Sequence, residues 1–159
     1  MKRVLMLMAI ALIAVVGSSP LQAQGNPLVG TWKLNVTKSK FDPGPAPKSM
    51  TRTVEAQGDG VKYTFAGVGA DGKPVAYGFA VKFDDKDNPI MGSMPSGAET
   101  ISAKRLDANT FEATLKKGGK TIGTSKVTVS KDGKTTTVES NGTNAAGVKT
   151  HDVQVYDKQ

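Results

Sequence analysis

A single histidine, His151, and the absence of cysteine leave little from which nucleophilic or metal chemistry could be assembled. A Ser-His-Asp relay or an imidazole-rich metal site would have to draw on that one ring, and no Gly-x-Ser-x-Gly accompanies it. The densest acidic run, Asp84-Asp85-Lys86-Asp87-Asn88, places oxygen ligands at alternate positions, as calcium requires. It lacks the glycine and the distal glutamate of a calcium loop, since counting from Asp85 puts Ser96 at the last ligand position. We read it as a solvated turn. Glycoside cleavage needs two carboxyls facing each other across a cleft, one of them in apolar surroundings. Glu55, Glu99, Glu112 and Glu139 have the right side chain, and nothing separates them from solvent-facing strand positions. No catalytic residue, metal or cofactor is expected, and the chain does not read as an enzyme.

The aromatic residues are better placed for a function. Tyr63 and Phe65 alternate with Lys62 and Thr64, while Tyr77, Phe79 and Phe83 share parity with Val75 and Val81. Successive strand side chains point to opposite faces, so two strands each present one strongly apolar face. Such faces bury apolar surface; they bind rather than react. On the opposite parity Ala76, Gly78 and Ala80 are small, which lets a neighbouring backbone approach or leaves room for a ligand. A filled interior and a ligand cavity both stay open.

The elements that must hold these faces are strands. Apolar residues recur with a period of two from Trp32 to the C-terminus, predicting strands near 30–36, 50–57, 61–68, 74–83, 99–106, 110–117, 120–130, 134–141 and 147–157. Asp59-Gly60, Asp71-Gly72, Gly118-Gly119, Asp132-Gly133 and Asn141-Gly142 supply residues that accept positive φ, as tight reversals demand. Helix signals are nearly absent. The expected fold is all-β, an antiparallel up-and-down barrel of about 8–10 strands, because closure removes exposed sheet edges. Two segments break the pattern. Phe41 to Lys48 contains Pro43, Pro45 and Pro47 and is expected to be an ordered surface connection. Asn88 to Gly97 is a longer loop whose Met91 and Met94 are expected to tuck onto the barrel wall.

Lys2 and Arg3, an apolar run from Val4 to Val16 and a small residue at Ala23 follow the order of a secretory signal peptide. We expect residues 1–23 to be cleaved and residues 24–159 to form one domain, periplasmic or secreted. The run is about 13 residues where a spanning helix needs about 20, so no membrane anchor is expected after cleavage. Removing Lys2 and Arg3 from the formal charge of +7 leaves +5, spread over isolated lysines. The longest basic cluster, Lys116-Lys117 with Lys120, lacks the interleaved aromatics of a nucleic-acid site, and none is expected.

Gly30-Thr31-Trp32-Lys33-Leu34 at the front and Val153-Gln154-Val155-Tyr156-Asp157-Lys158 at the back, with antiparallel strands between, resemble the calycin group of lipocalins and fatty-acid-binding proteins. The resemblance implies that Gly30 and Trp32 close one end of the barrel. It further implies that a small hydrophobic or lipid-like molecule binds inside, with Tyr63, Phe65, Tyr77, Phe79, Gln154 and Tyr156 as lining. In fatty-acid-binding proteins the C-terminal motif reads Arg-x-Tyr and holds a ligand carboxylate. Here Gln154 stands at the arginine position, which by that comparison points to a neutral ligand. The proline run also cannot form the helical lid of those proteins. The resemblance turns Gln154 and Tyr156 inward, whereas hydrophobic alternation turns Val153 and Val155 inward. An envelope protein with a filled barrel, acting through contacts on its loops, is the alternative reading.

Overall fold

The computed structural model describes residues 25–159, and the expected leader at 1–23 lies outside them. In chain order the strands are β1 (Gly30–Leu34), β2 (Lys40–Asp42), β3 (Ser49–Gln57), β4 (Gly60–Val68), β5 (Pro74–Val81), β6 (Asn88–Pro89), β7 (Met91–Gly92), β8 (Thr100–Arg105), β9 (Thr110–Lys117), β10 (Lys120–Val129), β11 (Thr135–Thr143) and β12 (Lys149–Lys158). One 3-10 turn, Val36–Lys38, follows β1 and is capped by Asn35, whose Oδ1 accepts from the Lys38 N–H at 3.1 Å. That cap ends the first strand at Leu34, two residues before the periodicity does.

The nine long strands occupy the nine segments that alternation marks, and each runs antiparallel to its neighbours in a single sheet. The last returns to pair with the first, Tyr156 opposite Leu34. Nine antiparallel strands cannot close: followed around the sheet from β1 in both directions, the pairings leave β5 and β8 running the same way. The chain solves this with the segment from Asn88 to Gly92, which lies reversed in the seam. Asn88 and Pro89 pair with Ile101 and Thr100, while Met91 and Gly92 pair with Gly78 and Tyr77. It acts as a broken tenth strand. Gly92 has φ +82°, and a Cβ there would sit 2.5 Å from the Ala76 carbonyl oxygen, so only glycine lets the bridge approach β5 this closely.

The acidic run is part of the same seam rather than a free turn. Asp84 bridges to Lys104, the Asp85 N–H donates to the Ala103 carbonyl at 2.9 Å, and Lys116 Nζ lies 2.7 Å from Asp87 Oδ1. Of the two methionines, Met94 lies at the barrel's open end, whereas Met91 is exposed instead of packed. The expected Asn141-Gly142 reversal is also displaced. Both residues continue β11, and the turn falls at Asn144, whose Oδ1 accepts from the Ala146 and Val148 N–H groups at 3.0 Å each.

The proline run leaves β1's end of the barrel by way of β2, which pairs with β12 beyond the stretch that β1 covers, Phe41 opposite Asp152. The conflict over β12 is resolved without a bulge. Its register with β11 is unbroken from Asp157 to Lys149, and Gln154 and Tyr156 face the interior. Val153 and Val155 lie outside and are half-buried, where the segment from Asn35 to Asp42 runs along the edge of β12. The Val155 N–H donates to Ser39 Oγ at 2.9 Å, and its carbonyl accepts from Asn35 N–H at 2.8 Å. Apolar residues on both faces misled the period-two reading there.

One end of the barrel is packed solid. Trp32 and Leu28 are fully buried, and Trp32 Nε1 donates to the Leu28 carbonyl at 2.8 Å, tying a short N-terminal plug to the barrel floor. Val54, Val61, Val129 and Phe111 fill the surrounding layer. Lys158 Nζ lies 5.0 Å from the Trp32 ring. Gly30 has φ +139°, a conformation that strains any side chain, which accounts for the glycine two residues before the tryptophan. Trp32→Ala is expected to lower the unfolding free energy by about 3–5 kcal/mol, by the usual cost of truncating a buried aromatic. Urea denaturation followed by far-ultraviolet circular dichroism checks this.

Candidate functional site

Above the packed floor the barrel is hollow. A cavity of about 490 Å³ runs from Arg52 and Tyr156 to a mouth rimmed by Pro43, Pro45 and Pro47, the β4–β5 turn at Gly69-Ala70, Met94-Pro95 and Asn144. The volume falls within the ~300–1,000 Å³ of ordinary small-molecule sites. The proline run thus forms part of the rim, where it cannot fold into helices. A further depression of about 500 Å³ over Glu55, Gln57, Lys62 and Met91 lies on the outer face of the sheet, among solvent-facing side chains.

Four aromatic side chains form one wall of the cavity. The β4–β5 register sets Tyr63 opposite Phe79 and Phe65 opposite Tyr77. Their ring centroids are 4.9 Å and 4.4 Å apart, and Phe65 lies 5.8 Å from Phe79, making a continuous aromatic surface. Stacked and tilted pairs of this kind are favourable beyond the apolar area they bury. Ala76, Gly78 and Ala80 fall on the outer face and open no interior space. Across the cavity Tyr156 Oη donates to Gln154 Oε1 at 2.9 Å, and the facing Ser125 and Ser140 hydroxyls lie 2.9 Å apart. All six residues proposed as lining border this one cavity, and Trp32 lies in its floor.

The sequence reading missed Arg52. It lies on β3 between Met50 and Val54, with Trp32 opposite on β1 and Phe65 opposite on β4, and only 2 % of it is exposed. Its parity was the signal: Met50, Arg52 and Val54 alternate onto the apolar face. The guanidinium carbon lies 4.6 Å from the Tyr156 ring centre and 5.6 Å from that of Trp32. Ring faces carry negative potential and hold a cation, but they do not accept its N–H bonds as an oxygen does. Nε and Nη2 of Arg52 are buried without a hydrogen-bond partner. Burial lowers its pKa, and the groups acting in the other direction are the phenols of Tyr63, Tyr156 and Tyr77, with no carboxylate among them. A guanidinium nevertheless stays protonated at neutral pH, so Arg52 is a buried cation without an ion-pair partner, and Asp152 and Glu112, which border the same cavity, are not among the groups acting on it.

The remaining candidates for chemistry are dispersed. His151 lies on the outer face, its Nδ1 2.8 Å from Asn141 Oδ1. Glu112 pairs with Lys104 at 2.7 Å across β8 and β9, and Glu99 accepts from the Gly118 N–H at 2.9 Å. Among the described residues no group of three or more histidine, aspartate or glutamate side chains could hold a metal ion.

The fold is that of a nearly closed antiparallel β-barrel, shared with a solved ligand-bound barrel. The zebrafish ileal bile acid-binding protein, in a structure complexed with cholic acid, superimposes with a TM-score of 0.52 at 13% identity, covering 84% of this chain and 99% of that one. A redesigned β-barrel bound to DFHBI gives a TM-score of 0.46 at 14% identity, covering 83% and 95%. At these identities the likeness is one of fold. No protein-family model and no curated protein sequence matches the chain.

All three tyrosines of the chain border the cavity. Burial pushes Tyr63 and Tyr156 up to about 12 from 10.0, the charge of Arg52 opposing the shift, and raises Tyr77 as well. A phenol whose pKa is raised on folding stabilises the fold below its unfolded value and loses that contribution as pH climbs through the folded one. Stability is therefore expected to be flat up to about pH 10 and to fall toward pH 12. The absorbance of tyrosinate should show no native titration phase near 10.0, ionisation instead accompanying unfolding.

Proposed function

We propose that the protein binds one small, largely apolar molecule in the barrel cavity and performs no chemistry on it. The observation that supports this best is the division of the interior, a packed floor beneath a hollow of about 490 Å³ walled by stacked aromatics and reached through a single rim. Burial of apolar ligand surface supplies the affinity at roughly 25 cal/mol per Å², and the few polar groups on the far wall fix orientation. The zebrafish barrel of like fold is complexed with cholic acid. For this chain the apolar cavity carries the reading, and the scattered acids and lone outward-facing histidine supply no opposing catalytic arrangement. The leader sequence of Lys2, Arg3 and Val4 to Val16 supports action beyond the inner membrane.

Ala113 lines the cavity beside Phe111 and Leu115, so Ala113→Trp fills the cavity without touching the floor. The variant is expected to reduce binding of an apolar fluorescent probe, 1-anilinonaphthalene-8-sulfonate, at least tenfold while the melting temperature changes little. Equal binding by both proteins would place the probe elsewhere and count against the proposal. Intact mass of the protein from its own host should correspond to a chain beginning at Gln24.

A further inference from the structure

We propose that the ligand carries a carboxylate and that Arg52 is the residue that receives it, at the boundary between the packed floor and the hollow. This rests on the reading of the cavity as a binding site and adds the chemical class of its occupant, an apolar body ending in one carboxylate. A guanidinium buried to 2 % exposure without a counter-ion is costly to maintain, and cation–π contact with Trp32 and Tyr156 offsets only part of the cost. Buried charges in folded proteins are normally paired. Arg52 is in no ion pair among the described residues, and no carboxylate acts on it within the barrel.

The geometry of the unpaired atoms narrows the partner. Nε and Nη2 share one edge of the guanidinium, with near-parallel N–H bonds. Two oxygens on a single planar carbon meet such an edge as a bidentate fork, whereas a hydroxyl or a carbonyl satisfies one bond. Both nitrogens are covered, so receiving a carboxylate there requires the guanidinium to turn about its long stem toward the cavity that Arg52 borders. One cation matches one anion, so a dianionic head group would leave charge unbalanced in the apolar interior. Gln154, which stands where the family comparison would have an arginine, is engaged with Tyr156 at 2.9 Å; the positive charge instead comes from β3.

The test compares dodecanoate with 1-dodecanol, which have the same chain and different head groups, by calorimetry and by the emission of Trp32, the only tryptophan and a neighbour of Arg52. Wild-type protein should bind dodecanoate at least tenfold more tightly than dodecanol. Arg52→Met should abolish the preference while retaining dodecanol binding, and Arg52→Lys, which keeps the charge without the fork, should retain only part of it. Unliganded Arg52→Met should melt no lower than wild type, since it removes a buried unpaired charge. Equal binding of both compounds by wild type overturns the carboxylate assignment and leaves the apolar cavity standing, and binding of neither overturns both. Failure of Arg52→Met to fold, with Arg52→Lys keeping the full preference, would assign the guanidinium a purely structural role and likewise overturn the proposal.

Discussion

A meander of nine strands cannot be sealed by antiparallel pairing alone, and the way this chain meets that constraint shapes everything inside it. The short reversed segment from Asn88 to Gly92 gives β5 and β8 a common partner, so that the sheet rolls up instead of ending in two open edges. Because the bridge is brief, the seam needs reinforcement. The aspartates from Asp84 to Asp87 provide it through backbone and lysine contacts to β8 and β9. A cluster that in isolation suggests cation binding is here a fastening between strands.

Closure creates an interior whose two ends are treated differently. At the floor, the Trp32 indole and the Leu28 plug leave no space and no unmet indole N–H. Toward the mouth, the same strands carry side chains that line the wall without meeting at the centre. Arg52 lies at the transition, packed by the floor's aromatic rings yet bordering the hollow. An arginine there contributes nothing to hydrophobic packing that methionine would not supply, and it brings the cost of dehydrating a charge. Its presence makes sense if the folded barrel is not the final state of the site.

Much of this architecture was legible in the sequence. Period-two alternation located all nine long strands, and parity placed Tyr63, Phe65, Tyr77 and Phe79 on one shared face. Three features escaped for physical reasons. The bridging strands are only two residues long, too short to show a period. On β12 apolar residues lie on both faces, the outer ones half-buried where the segment from Asn35 to Asp42 borders the strand, so alternation gave the wrong face at Val153 and Val155. Arg52 shares the inward parity of Met50 and Val54, but a search for apolar alternation skips a charged residue. A charged residue on an apolar parity is worth more notice than another hydrophobic one.

The pairing of β1 with β12 has a kinetic consequence. Nearly the whole chain separates Trp32 from its cross-strand neighbour Lys158, so the first strand gains that partner only when the last has been made. Contacts of such long range carry a large loop-closure cost before they return any energy, and folds dominated by them form slowly. The barrel therefore stays unsealed until β12 has been made, and whatever handles the chain before that point meets an open sheet rather than a finished cylinder.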